Sequence, residues 1–318
     1  MNTTDRKMKI GFIKPNYPFE KRVAILPQQV KECPNELIIE TGFGETMDIP
    51  DAEYWDAGAK ITSREDIFAT CDIIFSLKLI QPVDYNLLRQ GQIIVGWTHP
   101  TGSGADFMRV QAQPKGLIVI DLDNIYPSVY YNGETYPIPF IQPNFIRQNS
   151  ISAGIAAVYH ALLCYGILPG KDTKVAILAT GNVAQGAYDA MSKFNADIRQ
   201  FNRKTMPEFY ATLGEYDIII NGVEMDQKGQ HILTKSHLAL LKTGCLIIDA
   251  AADADGAIEG THYTSIGDPM YYKNGVYYYC VNNVPSLIYR TTSEDISAAF
   301  AKAFYNQNIA SFLQLIRK

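Results

Sequence analysis

The chain has 318 residues and is poor in the features that mark stapled, membrane-borne or nucleic-acid-binding proteins. Its five cysteines, Cys33, Cys71, Cys164, Cys245 and Cys280, are scattered and odd in number, and no two form a C-x-x-C pair. This spacing argues against a disulfide framework and for reduced thiols packed as small hydrophobes. The five histidines form no H-x-x-x-H pair with acidic neighbours, so no metal site is expected. Runs of Lys and Arg are missing and the formal net charge is −5, which removes the clustered cations that binding to a phosphate backbone needs. No apolar stretch approaches the roughly 20 residues that cross a bilayer. The first nine residues lead straight into a strand at Ile10 to Ile13 rather than into a signal core. The expectation is a cytoplasmic protein with no nucleic-acid or membrane partner.

What is present is an ordinary globular composition, 47% hydrophobic and 19% charged, on a chain long enough for two domains. Short apolar strands alternate with helical patterns. Lys9 to Ile13, Leu37 to Glu40, Ile73 to Leu77, Gln92 to Gly96 and Leu117 to Asp121 read as strands, with helices at Pro27 to Glu32, Ile49 to Ala57 and Tyr85 to Gln90. A meander with an Asn132-Gly133 turn follows at Tyr130 to Ile138. Ser152 to Tyr165 reads as a long buried helix, and it opens a second block with strands at Val175 to Leu178, Asp197 to Phe201, Tyr216 to Gly222, Cys245 to Asp249 and Val276 to Cys280. Asp295 to Ile316 reads as one long amphipathic helix that returns to the first block. Such alternation predicts parallel sheets covered on both faces.

The second block begins with a strand, a tight turn and a helix at Lys174 to Ala187, the start of a mononucleotide-binding βαβ unit. Small residues at the turn let backbone approach a pyrophosphate, whose charge the helix N-terminus holds. The G-x-G-x-x-G/A fingerprint is imperfect, because Ala179 stands at the first glycine position and is followed by Thr180, Gly181, Asn182, Val183 and Ala184. The next strand ends in Asn202-Arg203-Lys204, where an NAD-selective protein places an acid for the ribose hydroxyl. Two cations at that point favour NADP(H).

Ligands of open α/β sheets bind beyond the carboxyl ends of the strands. Four polar residues lie just past such ends: Arg22, Lys78, His99 and Asp253. An Arg binds a carboxylate through two hydrogen bonds. A Lys stabilises charge on a ketone or imine oxygen, and a His moves protons near neutrality. An Asp orients the His or accepts from a substrate amine. Together they suit hydride delivery to C2 of a 2-oxo acid.

Three stretches carry a family likeness: Ile10 to Pro15 with Arg22 to Pro27, Ile248 to Glu259, and Asp268 to Ser293. They resemble the alanine dehydrogenase and pyridine nucleotide transhydrogenase family, over roughly residues 8 to 316. The resemblance implies that Arg22 and Lys78 bind pyruvate, that His99 is the catalytic acid/base and that Asp253 completes the catalytic pair. The short connection after Tyr165, Ala179, and Asn202-Arg203-Lys204 are departures from the family's longer members. They resemble a short NADP(H)-dependent branch that reductively condenses pyruvate with the side-chain amine of ornithine, or of lysine. The fold expected is α/β: two Rossmann-like domains with parallel sheets, separated by an active-site cleft. Residues 1–143 plus 291–318 form the substrate domain and 144–290 the NADP domain, with the long helix near Ser152 and the C-terminal helix as the hinge. Expected cofactor contacts are Thr180, Gly181, Asn182, Val183, Asn202, Arg203, Lys204, Gly222 and Val284, with Lys14, Arg147 or Arg290 for the amino acid's α-carboxylate. The alternatives are an alanine dehydrogenase using ammonia, a saccharopine-type dehydrogenase, or a non-catalytic NADP-binding subunit. A homodimer or homotetramer is expected.

Overall fold

A computed structural model describes residues 8–225, 227 and 229–317. The chain divides into two compact units, Met1–Ile146 with Tyr289–Lys318, and Arg147–Ile288. No helix among the described residues is long and apolar enough to cross a membrane.

The first unit is built on an eight-stranded sheet. Its strands are β1 (Lys9–Ile13), β2 (Glu36–Glu40), β3 (Lys60–Thr62), β4 (Ile73–Ser76), β5 (Ile93–Gly96), β6 (Ile118–Asp121), β7 (Ser128–Tyr131) and β8 (Glu134–Pro137). Their order is β3-β2-β1-β4-β5-β6-β7-β8, parallel from β3 to β6 and antiparallel through the β6-β7-β8 meander. The central strands are continuous apolar runs because both faces are covered. Ile73, Phe75, Ile93 and Val95 face one core with Phe12 and Tyr305, while Ile74 and Ile94 face the other with Ile67 and Phe107. Asn132 and Gly133 both take positive φ, 51° and 83°, giving the tight hairpin turn that their sequence predicts.

The strand order reverses between β1 and β4, so a crevice opens where their carboxyl ends diverge. The segment that follows β1 is pinned there. Ser293 Oγ accepts the Val23 N–H (3.0 Å) and Ser297 Oγ the Leu26 N–H (2.9 Å), while Tyr305 donates to the Ala24 carbonyl (2.8 Å) and Tyr54 to that of Ile25 (2.9 Å). An extended, buried segment thus has backbone groups satisfied by side chains rather than by a ladder.

Three expectations change here. The C-terminal stretch is not one helix: Tyr289–Phe300 runs into a wide turn at Ala301–Tyr305, and a separate helix, Ile309–Leu315, starts where Asn308 accepts the Ala310 N–H. Tyr85 to Gln90 is not an α-helix but the end of a 3₁₀ turn at Pro82–Leu87, opened by its proline. The first block also holds a strand, β3, and a helix, Arg64–Thr70, capped by Ser63.

The second unit has a six-stranded sheet of β9 (Lys174–Leu178), β10 (Asp197–Phe201), β11 (Ile218–Asn221), β12 (Leu246–Asp249), β13 (Met270–Lys273) and β14 (Val276–Tyr279). The order is β10-β9-β11-β12-β14-β13, parallel except for the edge strand β13. The long helix, Arg147–Tyr165, packs on Asn182–Met191 at two glycines. A Cβ at Gly154 would lie 2.0 Å from the Val183 carbonyl oxygen, and one at Gly186 1.9 Å from that of Ile151. Only backbone fits at that crossing. The switch point lies between β9 and β11, beside the turn at Ala179 to Gly181.

Candidate active site

In the first unit, the loop after β1 brings a carboxylate to Arg22. The Arg22 backbone N–H and Nε donate to Glu20 Oε1 (2.9 and 2.8 Å), and Nη2 donates to Oε2 (2.6 Å). Both side chains are buried, 1% and 0% exposed. Burial alone would raise the Glu20 carboxyl, but the charge and hydrogen bonds of Arg22, with Lys78 beyond, bring it down to about 2. Arg22 is therefore a buried, planar cation held in one orientation rather than a mobile surface residue.

The end of β5 supplies the floor. Gly96 has φ 147°, and a Cβ there would sit 1.7 Å from the Ser76 carbonyl oxygen, so only glycine lets β4 and β5 end this close together. Trp97 follows, buried, with the Arg22 guanidinium 4.8 Å and the Lys78 ammonium 5.1 Å from its ring centre. The Tyr17 ring lies 5.4 Å from the same ammonium. Desolvation and then the Arg22 charge lower Lys78 to about 8, against the pull of Glu20 and Asp123.

His99 is set by the next turn. Thr98 donates through N–H and Oγ1 to the buried Asp121 Oδ1 (both 2.9 Å), and the His99 N–H reaches the same atom at 3.3 Å. His99 itself takes φ 44°. Its Nδ1 lies 3.0 Å from Asp123 Oδ2, with the imidazole 41% exposed. Burial raises the Asp123 carboxyl, opposed by His99 and then Lys78. A carboxylate on Nδ1 fixes the ring and leaves Nε2 as the nitrogen able to exchange a proton with a ligand. Lys78 interacts with Arg22, Glu20 and Asp123, so Arg22, Lys78 and His99 share one electrostatic cluster.

Asp253 has a different setting. Its Oδ2 accepts the Met225 N–H (3.0 Å) in the second unit, and the carboxylate on His99 is that of Asp123. Asp249, at the end of β12, is buried and accepts from Asn221 Nδ2 (2.9 Å) and the Cys280 thiol (3.5 Å). Burial raises Asp249 to about 6.

The second unit holds a cavity of about 1050 Å³ at the ends of β9 and β10, lined among others by Ala179, Thr180, Gly181, Asn202, Arg203, Lys204, Tyr210 and Gly222. A Cβ at Gly181 would meet nothing within 4 Å, so the turn opens onto free space at the N-terminus of the Asn182–Met191 helix. Asn202 Oδ1 accepts the Lys204 N–H (2.9 Å), and the Asn202 N–H donates to Thr205 Oγ1 (2.9 Å). This closed turn holds Arg203 and Lys204 exposed at the cavity edge. Asn182 and Val183 begin the helix, and Asn182 Oδ1 accepts from Arg147 Nε (3.2 Å). Val284 is 3% exposed inside the core of this unit. Of the other cations considered for an α-carboxylate, Arg290 pairs with Asp48, and the Lys14 backbone N–H donates to Glu40 (2.7 Å).

Sequence reasoning passed over Glu20, Trp97 and Asp123. The signals were faint: an acid two residues before Arg22, one of only two tryptophans beside the Thr98-His99 pair, and a second acid after Asp121.

Two family models cover most of the chain: alanine dehydrogenase/PNT, N-terminal domain, over residues 13–128, and alanine dehydrogenase/PNT, C-terminal domain, over residues 155–316. A Clostridium botulinum protein named N(5)-(carboxyethyl)ornithine synthase is 56% identical over 97% of this chain and 98% of its own length. A protein of the same name from Lactococcus lactis is 49% identical over 97% of this chain and 99% of its own. Among solved structures, an L-alanine dehydrogenase superposes with a TM-score of 0.81 at 22% identity, covering 96% of this chain and 92% of its own. That likeness extends the fold assignment to both units.

Proposed function

The chain belongs to the alanine dehydrogenase/PNT family, and from that premise we propose that it is an NADPH-dependent oxidoreductase of the N(5)-(carboxyethyl)ornithine synthase type. It condenses pyruvate with the side-chain amine of ornithine, or of lysine, to an N-(1-carboxyethyl) amino acid. The names of the relatives at 56% and 49% identity support this choice of substrates. The single structural observation that carries the chemistry is the cluster in the first unit: Arg22 and Lys78 over one tryptophan ring, with the His99–Asp123 pair coupled to them.

In this reading the first unit handles substrates and the second the cofactor. Arg22, fixed by Glu20, attracts the carboxylate of pyruvate. Lys78, still largely protonated at neutral pH, stabilises negative charge on the carbonyl oxygen as the free amine attacks C2. His99 Nε2 moves the protons that release water and leave an imine. Asp123 keeps the imidazole oriented.

Dependence on a pyridine nucleotide goes with the family. The residues fit that group: an open turn at Gly181, a helix N-terminus for the pyrophosphate, and Arg203 with Lys204 at the cavity edge for a 2′-phosphate. Thr180, Asn202 and Gly222 complete the wall. When bound, NADPH supplies hydride to C2 of the imine. Cytoplasmic action as a homo-oligomer belongs to the same proposal.

The test is product analysis with pyruvate and NADPH plus ornithine, lysine or ammonia. Product mass with ornithine supports the reading. Turnover with ammonia alone favours an alanine dehydrogenase, the activity named for a Mycobacterium tuberculosis relative at 25% identity.

A further inference from the structure

Trp97 carries a feature that its packing does not explain. Its side chain is buried, 2% exposed, at the centre of the charged cluster, and its ring also packs on Phe300 with centroids 5.7 Å apart. The indole Nε1–H is nevertheless buried with no hydrogen-bond partner among the described residues. Buried N–H groups in folded proteins almost always find an acceptor, because leaving one unmade costs its full desolvation. The two cations near the ring, Arg22 at 4.8 Å and Lys78 at 5.1 Å, account for an aromatic residue here but make no use of a donor on it. A phenylalanine would also offer a ring face to the two cations and would carry no unsatisfied group.

The missing acceptor has a definable chemistry. Two cations lie about 5 Å from the centre of the same ring, a setting that favours an anionic oxygen. Resting on the proposed use of a 2-oxo acid, we infer that Trp97 is a substrate-binding residue whose Nε1–H donates to the carboxylate of that acid. The donor is neutral and directional, whereas Arg22 and Lys78 supply charge. It therefore fixes the carboxylate relative to the adjacent ketone carbon, favouring 2-oxo acids over acids whose carboxylate lies farther from the ketone.

The chain offers a clean probe, since its other tryptophan, Trp55, is 63% exposed on the short helix Asp51–Asp56. In protein labelled with ¹⁵N-tryptophan, two indole N–H signals are expected, and Trp55→Phe, which leaves activity unchanged, identifies that of Trp97. Saturation with oxamate, an unreactive isostere of pyruvate, should move the Trp97 signal downfield as the bond forms. Trp97→Phe should raise KM for pyruvate about 10- to 100-fold, the range for a hydrogen bond to a charged group, with KM for NADPH unchanged. An unmoved Trp97 signal in enzyme that turns over pyruvate overturns the inference and leaves the proposed reaction standing. So does an unchanged KM for pyruvate in Trp97→Phe. Should that variant fail to fold, the oxamate titration of the wild-type and Trp55→Phe proteins decides. Absence of NADPH oxidation in wild-type enzyme with pyruvate and every amine overturns both.

Discussion

Replacing Glu20 with glutamine tests whether the buried Glu20–Arg22 pair holds the site together. The amide keeps the shape and one acceptor, but it faces Arg22 Nη2 or Nε with a donor and leaves a buried guanidinium without its countercharge. Both side chains are essentially unexposed, so solvent screening offers little relief. Glu20 sits at about 2 instead of the usual 4.5, which at 1.36 kcal/mol per pH unit corresponds to about 3 kcal/mol of stability at neutral pH. Breaking a buried pair by removing one partner costs about 3–5 kcal/mol, the same range. The sign follows from the lowered pKa: this stability is complete above 4.5 and drains away as pH falls toward 2. Both tryptophans lie in the first unit, so urea unfolding followed by their fluorescence reports that unit alone. The expected result is a loss of about 3 kcal/mol in Glu20→Gln at pH 7, with the gap to wild type closing between pH 4.5 and pH 2. A loss below about 1 kcal/mol, or a gap that does not change with pH, would show that the pair contributes little and that the guanidinium is held by its other contacts.

Three further outcomes follow from the same geometry. If protonated Lys78 stabilises the developing oxyanion, kcat/KM falls as pH rises through about 8, and Lys78→Arg, charged throughout, moves that limb above pH 10; an unmoved limb in a pH–rate profile assigns it to another group. His99→Asn should lower kcat by about 10²–10⁴-fold with NADPH affinity and melting temperature intact, and Asp123→Asn should lower it less because its role is to orient the ring; equal activity per folded molecule would make His99 a structural residue. Arg203→Ala should weaken NADPH about tenfold or more, the worth of a charge-assisted hydrogen bond, and leave NADH unaffected when both are titrated by fluorescence; equal losses for both cofactors would place Arg203 away from the 2′-phosphate.

What was legible in the sequence follows from how local each cause is. A strand buried on both faces must be apolar throughout, so Ile73–Ser76 and Ile93–Gly96 show in composition alone, and the polar residues just beyond them, Lys78 and His99, are exposed as candidates by position. Asn132-Gly133 demands positive φ at both residues and so declares its hairpin. Partner choice is not local. Glu20 stands two residues from Arg22, and it follows a turn in which Phe19 takes φ 60° and the Glu20 N–H donates to the Tyr17 carbonyl. Asp121 and Asp123 have the same chemistry and differ by two positions, and the loop leaving β6 gives one the Thr98 and His99 backbone and the other the imidazole. The C-terminal break escaped notice because the amphipathic pattern continues across the wide turn at Ala301–Tyr305, and only Asn308 marks the restart.

Ala179 shows the limit of reading a fingerprint by residue type. An alanine at the first glycine position suggests a turn with altered backbone, yet Ala179 takes φ 86°, the conformation for which glycine is ordinarily needed. A left-handed backbone costs a residue with a Cβ on the order of 1–2 kcal/mol. That strain persists only where the surroundings fix it. Here they do so from both sides: the Ala179 N–H donates to the Phe201 carbonyl (2.8 Å), and its own carbonyl accepts from Gln200 Nε2 (2.9 Å). The end of β10 therefore clamps the end of β9. The geometry of the turn at Ala179 is imposed by the neighbouring strand, which also carries Asn202, Arg203 and Lys204 to the same cavity edge. A turn whose shape depends on the strand bearing Arg203 and Lys204 couples two edges of one cavity, and the glycine count of the motif is a poor measure of whether that turn is intact.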